Sequence, residues 1–172
     1  MTEIISTDRL ILRSACNADF ETLYDIVFSV AEVMAQAFEG SSLSKDKAMR
    51  FFADHFDRDG NGRQLGVLTL RDSGNIIGFA GLLKCSALGE RDYEIGFVLG
   101  REFWGKGYAT EIGRGQIEYG LEVAGCKRLL ALVSPGNNAS IAVLKKIGMT
   151  HHSTIETDTR GKRQIYVAQG HG

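Results

Sequence analysis

The chain contains a single proline among 172 residues and no long apolar run. A membrane-spanning helix needs about 18 or more consecutive apolar residues, and no segment reaches that length. The opening sequence, MTEIISTDRL, lacks the basic start and apolar core of a signal peptide. The three cysteines are an odd number without a CxxC pair, which predicts a reduced cytoplasmic protein with inert thiols.

An excess of charge of one sign is also missing. The formal net charge is -1, so a broad basic face for nucleic acid is not expected. Hydrophobic residues make up 44% and charged residues 24%, which is ordinary for a globular protein. No linker, repeat or low-complexity tract interrupts the sequence, so we expect one domain over residues 1–172, with neither nucleic acid nor membrane as a partner.

The hydrophobic periodicity predicts a strand, two helices, three strands, a helix, a strand, a helix and two strands. The first strand is expected at residues 9–14, and Asn17 and Ser44 are expected to cap the first two helices. Hairpins dominate this order. It therefore predicts an α+β (mixed α/β) fold, with a mostly antiparallel twisted sheet of about seven strands and about four flanking helices.

Glycine is concentrated in one segment. Six of the 21 glycines lie between residues 96 and 115, in a strand, a loop and the helix that follows. The first N–H groups of a helix lack intrahelical partners and carry partial positive charge, so this loop predicts an anion site. Gly105 and Gly107 would let a phosphate approach the main chain, and Lys106 would add a cation. Gly113 and Gly115 fall inside the helix, where each should cost about 1 kcal/mol relative to alanine.

One interpretation of this loop is a nucleotide P-loop, because residues 100–107 match most of that pattern. A P-loop needs a Ser or Thr after its lysine to bind magnesium, and Gly107 stands there instead. The next buried strand, RLLALVS, also lacks the aspartate that would bind the metal. A kinase is therefore disfavoured.

The second interpretation is a family resemblance. WGKGYA, residues 104–109, resembles the Q/R-x-x-G-x-G/A loop of the GCN5-related N-acetyltransferases (GNAT). Trp104 departs from the general motif, but W-G-K-G-Y-A-T-E is typical of the RimJ/RimL branch, which acetylates N-terminal amines of ribosomal proteins, and of related amine acetyltransferases. PGNNAS followed by LKKIGM is similar to the branch's P-x-N-x-A-S and K-x-G-F segment, with Met149 where phenylalanine is usual. STDRLILR resembles the branch's opening, and the resemblance covers about residues 7–168.

The resemblance implies a GNAT-type fold that binds acetyl-coenzyme A as co-substrate and needs no metal. The strands at residues 94–99 and 128–133 would splay apart around the pantetheine arm. Main-chain groups of residues 97–99 would pair with that arm, and an N–H near Leu99 would meet the thioester carbonyl. The implied coenzyme-binding residues are Phe97, Val98, Leu99, Trp104, Gly105, Lys106, Gly107, Tyr108, Ala109, Asn137 and Ser140.

The resemblance also implies catalytic residues. Glu94 stands where related enzymes have a general base, which is needed because an ammonium group has no lone pair for attack. Its alternative role is a strand carboxylate paired with a neighbour such as Arg91. Many GNAT enzymes protonate the leaving thiolate with a tyrosine, but Leu144 occupies that position. Ser140 is the nearest hydroxyl, and its alternative is an ordinary first-turn helix residue. Asn137 can cap that helix and bind coenzyme as well.

Two function classes stay open at this point. One is an acetyltransferase that moves the acetyl group directly to a protein N-terminal amine or a small amine. The other is a coenzyme-binding module without catalysis, supported only by the missing tyrosine. The sequence leaves a homodimer open.

Two other patterns resemble metal sites, but neither has the residues or the geometry that a metal site needs. Residues 57–62 copy half of an EF-hand calcium loop, but the twelfth position is Leu68, so a turn is expected. His151 and His152 would face opposite ways on a strand, which makes them a poor metal pair.

Overall fold

The computed structural model describes residues 1–170. Eight strands form one sheet: β1 (Glu3–Ser6), β2 (Leu10–Arg13), β3 (Leu65–Leu70), β4 (Ile76–Cys85), β5 (Asp92–Leu99), β6 (Arg128–Val133), β7 (Thr150–Thr157) and β8 (Gly161–Gln169). The α-helices are α1 (Phe20–Leu23), α2 (Ala31–Met34), α3 (Lys45–His55), α4 (Tyr108–Glu118) and α5 (Asn138–Lys146). The expected mixed architecture is confirmed, with eight strands where about seven were expected.

The strand order is β1-β2-β3-β4-β5-β6-β8-β7, and every neighbouring pair except β5–β6 is antiparallel. The β5–β6 pair is parallel and short. Only Tyr93 pairs with Leu129 and Glu94 with Leu130 before the two strands separate. Every other interior pair in the sheet runs longer, so the sheet opens at this one junction.

The N-terminal region differs from the prediction in three ways, one of which is that the first predicted helix is divided into α1 and α2. Strand β1 was not predicted, because four residues carry too little periodicity to mark a strand, and pairing with β2 defines it. Asn17 does not cap the first helix. A short 3₁₀ helix, Asn17–Asp19, precedes α1 and has Cys16 at its cap position, and the Asn17 side chain instead accepts a hydrogen bond from Arg58 (2.6 Å). Ser44 does cap α3, accepting from the Lys47 N–H at 3.3 Å.

Helices cover both faces of the sheet. One face packs against α1–α3 through a cluster of phenylalanines, in which the fully buried Phe28 stacks on Phe79 with ring centroids 5.5 Å apart. The other face packs against α4 and α5 around Leu129 and Leu144. Ile95 of β5 belongs to this second cluster, so alternation places the Glu94 side chain on the phenylalanine side.

Close packing explains the two glycines inside α4. A Cβ at Gly113 would lie 3.0 Å from Cδ1 of Ile147, just after α5. A Cβ at Gly115 would lie 3.0 Å from Cγ2 of Ile5 in β1. Alanine at either position would therefore crowd α4 against its neighbours. Glycine lowers the helix stability, but it lets α4 lie close to both elements.

The loop that imitates an EF-hand binds its own main chain. The Asp57 carboxylate is completely buried and accepts from the N–H groups of Asp59 (3.0 Å), Gly60 (2.6 Å), Asn61 (3.4 Å) and Gly62 (2.7 Å). These bonds occupy the oxygens that a cation would need, and they fold the turn that leads from α3 into β3. In residues 1–170, no group of three or more His, Cys, Asp or Glu side chains could hold a metal ion.

Replacing Asp57 with alanine is expected to lower the free energy of unfolding by about 2–4 kcal/mol, because buried N–H groups lose their acceptor. Urea unfolding measures the change. Asp59 in the same loop is exposed and its side chain accepts no hydrogen bond within residues 1–170, so Asp59→Ala is the control and should change little. Equal losses in the two variants would contradict this role for Asp57.

Candidate active site

A cleft of about 660 Å³ opens where β5 and β6 separate. Its walls come from both strands, from the loop between β5 and α4, from α5, from the segment containing α2, and from the β7–β8 hairpin.

Among residues 1–170, no helix is both long and apolar enough to span a bilayer.

The exposed edge of β5 offers main-chain groups to this cleft. The Gly100 N–H donates to the Ile77 carbonyl at 2.8 Å, and a Cβ on Gly78 would lie 2.1 Å from the Val98 carbonyl oxygen. Both observations fix the alternation of the β4–β5 ladder, so the main-chain groups of Val98 point to β4. Those of Phe97 and Leu99 point to the opened side of the sheet.

One of these groups already has a partner. The Trp104 indole N–H donates to the Leu99 carbonyl at 3.0 Å. This bond folds the loop after β5 back onto the end of the strand. Of the main-chain groups of Phe97 and Leu99, the Phe97 amide and carbonyl and the Leu99 amide are thus left for a ligand.

The glycine loop, residues 104–109, forms the outer end of the cleft. Gly105 and Gly107 have left-handed backbone angles (φ 73° and 82°), which glycine adopts without strain. Gly107 is the N-cap of α4, and its carbonyl accepts the Glu111 N–H at 3.1 Å. The first N–H groups of α4 have no intrahelical partners and begin beside the cleft, which makes this end a candidate anion site.

A second layer of contacts holds the glycine loop from outside. The Glu111 carboxylate accepts from the Thr7 hydroxyl (2.6 Å), the Arg9 N–H (2.8 Å) and Arg9 Nε (2.7 Å). Arg9 also donates to the Lys106 carbonyl (2.9 Å). Partial burial of Glu111 would raise its pKa, but these hydrogen bonds from Thr7 and Arg9 outweigh burial and lower it. The carboxylate is therefore charged and fixes the loop to the β1–β2 turn.

Helix α4 is also joined to the floor of the cleft. The Gln116 side chain is buried and donates to the carbonyls of Gly81 (3.0 Å) and Gly96 (2.8 Å). These two glycines pair across β4 and β5, and neither carries a side chain that would block the amide. The helix is thereby attached to the strand whose far edge lines the cleft.

Helix α5 contributes a polar start and an apolar middle to the cleft. The Asn137 side chain caps it by accepting the Ser140 N–H at 3.2 Å, as predicted. Ser140 is half-buried and lines the cleft, and so does the buried Leu144. An apolar side chain therefore occupies the position at which many enzymes of the family that the sequence resembles have a tyrosine.

The inner end of the cleft holds a buried ion pair. The Glu94 side chain is 7% exposed, and both of its oxygens accept from the Arg160 guanidinium, at 3.0 and 3.2 Å. Glu94 is therefore paired with an arginine, as its alternative role predicted. The partner is Arg160 from the β7–β8 turn, however, and not Arg91. The Cys85 thiol lies beside this pair, and burial, together with the nearby Glu94 carboxylate, raises its pKa to about 11.

Nearly all of the predicted site residues meet in this one cleft. Glu94 and Ser140 line it, and so do Phe97, Val98, Leu99, Trp104, Gly105, Gly107, Tyr108, Ala109 and Asn137. Lys106 is exposed and is not among the lining residues. Sequence reasoning missed Arg160, Arg163 and the contact of Arg9 with Glu111. The local sequence around Arg160 signals only a turn, so nothing in it marks a site.

The structure thus places a helix N-terminus suited to anions at one end of a cleft between splayed strands, and a buried carboxylate at the other. Residues 9–150 match the acetyltransferase (GNAT) domain family. The chain therefore belongs to the GNAT family, and it is an acetyl-coenzyme A-dependent acyltransferase.

Two curated relatives come from Bacillus subtilis strain 168. YkkB is 32% identical over 151 residues, covering 87% of this chain and 86% of that protein. The N-acetyltransferase YnaD is 34% identical over 145 residues, covering 84% and 81%.

Solved structures share the fold. A GNAT-family acetyltransferase from Bacillus anthracis superposes with a TM-score of 0.81 at 23% identity, over 96% of this chain and 97% of that chain. The spermidine N-acetyltransferase of Vibrio cholerae, in complex with CoA and spermine, gives 0.76 at 16% identity, over 95% and 96%. At these identities the likeness concerns the fold alone.

Proposed function

We propose that the enzyme transfers an acetyl group from acetyl-coenzyme A directly to a primary amine, either a protein N-terminus or a small molecule. The observation that carries the proposal is the single cleft, with the glycine loop at one end and Glu94 at the other. The segments W-G-K-G-Y-A-T-E and N-x-A-S support the RimJ/RimL branch. Three free cysteines agree with a cytoplasmic location, where thiols stay reduced.

The outer half of the cleft would hold the donor. The N–H groups at the start of α4 would bind the pyrophosphate, since Gly105 and Gly107 leave the main chain bare. The Phe97 amide and carbonyl and the Leu99 amide would bind the pantetheine arm as an added strand binds a sheet edge.

The position of the base favours one of these amides for the thioester carbonyl. A strand rises about 3.3 Å per residue, so Leu99 lies about 16 Å along β5 from Glu94, and Phe97 about 10 Å. The sequence predicted an N–H near Leu99, and this distance favours Phe97. Its N–H would donate to the oxygen that gains negative charge as the amine attacks.

The remaining steps are proton transfers. Glu94 would accept a proton from the acceptor ammonium, directly or through one water, and so free the lone pair that attacks. An α-amino group, with a pKa of about 7.7–8.0, needs less help than a lysine at about 10.4. Ser140 would donate a hydrogen bond to the departing sulfur. Free thiols have a pKa near 8.5, so the thiolate can leave although Leu144 offers no proton.

The test is thiol release from acetyl-coenzyme A with a panel of N-terminal peptides, polyamines and amino acids, with N-acetylated product confirmed by mass spectrometry. We expect turnover on at least one class of primary amine. Tight coenzyme binding without turnover on any amine would contradict the proposal and favour a binding module.

A further inference from the structure

The polar groups beyond Glu94 lie on one face of the sheet. On β8, Tyr166 and Ala168 belong to the cluster under α4 and α5, so Arg163 lies on the opposite face by alternation. Glu94 lies on that same face. Arg163 and Arg160 both line the cleft there, together with Phe38 from the segment after α2. We call this the acceptor face, because the donor would occupy the α4–α5 side.

The charges on the acceptor face do not balance. Arg160 neutralises Glu94 through two hydrogen bonds. Glu32, at the rim of the cleft, pairs with Arg101 at 2.8 Å. Arg163 lies within salt-bridge distance of no carboxylate among residues 1–170. Arg160 and Arg163 thus share one nearby carboxylate, Glu94, and the acceptor face carries a net positive charge.

Arg163 is a buried charged residue whose hydrogen-bond acceptors are both neutral. It is only 8% exposed, and its guanidinium donates to two neutral acceptors, the carbonyls of Lys162 and Phe38, both at 2.9 Å. Burial lowers the pKa of Arg163 and the nearby positive charge of Arg160 lowers it further, while the Glu94 carboxylate acts in the opposite direction without cancelling them. A guanidinium has five N–H donors, and no further acceptor within residues 1–170 is bonded to them.

Holding the loop does not require this charge. Arg163 fixes the carbonyl of Phe38, whose backbone is left-handed (φ 49°), and a neutral amide side chain could donate the same bond. The free-energy cost of taking a charged group out of water is offset by an opposite charge at close range. Glu94 supplies one such charge for the two arginines, and a ligand of the cleft would supply the second.

We propose that the amine acceptor carries a negatively charged group, a carboxylate in the simplest case, that Arg163 binds while Glu94 faces the amine. This inference rests on the proposed amine acetylation and names the class of acceptor. It disfavours polycations such as spermidine, which would meet the net positive charge of Arg160 and Arg163.

The experiment compares amines that differ only in the carboxylate. Tyrosine is paired with tyramine, lysine with cadaverine, and an N-terminal Met-Asp dipeptide amide with its Met-Asn counterpart; spermidine is included. We expect kcat/KM for the carboxylate member of at least one pair to exceed that of its partner by about tenfold or more. The pair that responds distinguishes a free amino acid from an acidic peptide.

The matched variants are Arg163→Gln and Lys162→Gln. Loss of Arg163 should lower kcat/KM for the preferred carboxylate acceptor by about 30-fold or more, mainly through KM. Its uncharged partner should change less than about threefold. Lys162 is exposed on the same strand, so its variant controls for the lost charge. Arg163→Lys should recover part of the preference.

The outcomes separate the two proposals. Turnover that is equal within every pair, or that favours spermidine, overturns the anionic acceptor and leaves amine acetylation standing. A uniform loss over both members of a pair in Arg163→Gln overturns the role of Arg163. If that variant does not fold, the wild-type ratios decide. Absence of turnover on every amine overturns both.

Discussion

Replacing Gly107 with glutamate is expected to weaken binding of coenzyme A by more than about 100-fold while the fold persists. Isothermal titration with coenzyme A measures the affinity, and circular dichroism with thermal unfolding checks the fold.

Two physical effects produce this loss. Gly107 has φ 82°, so any side chain there strains the backbone by about 1–2 kcal/mol. A Cβ would also lie 3.3 Å from Nη2 of Arg9, in the group that holds the glycine loop. The larger effect is electrostatic, because a carboxylate would compete with phosphate for the free N–H groups of α4.

Gly74→Glu supplies the control. Gly74 lies in the β3–β4 turn with φ 75°, and nothing lies within 4 Å of a Cβ there. This variant carries a similar strain and the same added charge outside the cleft, so its affinity for coenzyme A should match the wild type. Retained affinity in Gly107→Glu, or an equal loss in both variants, would refute phosphate binding by the loop.

Replacing Glu94 with glutamine is expected to lower kcat by about 10²–10³-fold, while the affinity for coenzyme A stays nearly unchanged. The amide cannot accept the proton that the acceptor ammonium must lose before its nitrogen attacks. The limb of the pH–rate profile that reports the base should therefore disappear, leaving a rate that depends on the ionisation of the free amine. Steady-state kinetics over a range of pH tests both points.

Asp92→Asn is a matched control on the same strand. Asp92 is buried and binds Arg128 through two hydrogen bonds (3.0 and 2.9 Å), as Glu94 binds Arg160, but it does not line the cleft. Both variants break a buried ion pair and lose stability, whereas only Glu94→Gln should lose turnover. An unchanged pH–rate profile in Glu94→Gln, or similar kcat values in the two variants, would sink the assignment of Glu94 as base.

Local sequence signals accounted for much of the fold. The apolar run RLLALV predicted β6, and Ser44 before an apolar stripe predicted the start of α3, because both signals act within a few residues. Strand β1 escaped prediction since its identity depends on pairing with β2. The prediction that Asn17 caps the first helix was wrong because its side chain instead accepts a hydrogen bond from Arg58, a residue distant in sequence.

The candidate site divides in the same way. The glycine loop is contiguous, so its chemistry could be read directly from residues 104–109. The pairing of Glu94 with Arg160 joins residues 66 positions apart, and it exists only because β7 and β8 add to the sheet beyond β6. The acceptor face is built from such distant contacts, which is why Arg163 left no trace in the sequence pattern.

The attachment of α4 at its first turn and at its middle has a consequence for the entropy of binding. Glu111 ties the first turn of this helix to the β1–β2 turn, and Gln116 ties its middle to β4 and β5. The groups that would bind the phosphates and the pantetheine arm are thus parts of one rigid unit before any ligand arrives. The protein then loses little conformational entropy when the donor binds. Most of the entropy loss comes from ordering the flexible coenzyme itself.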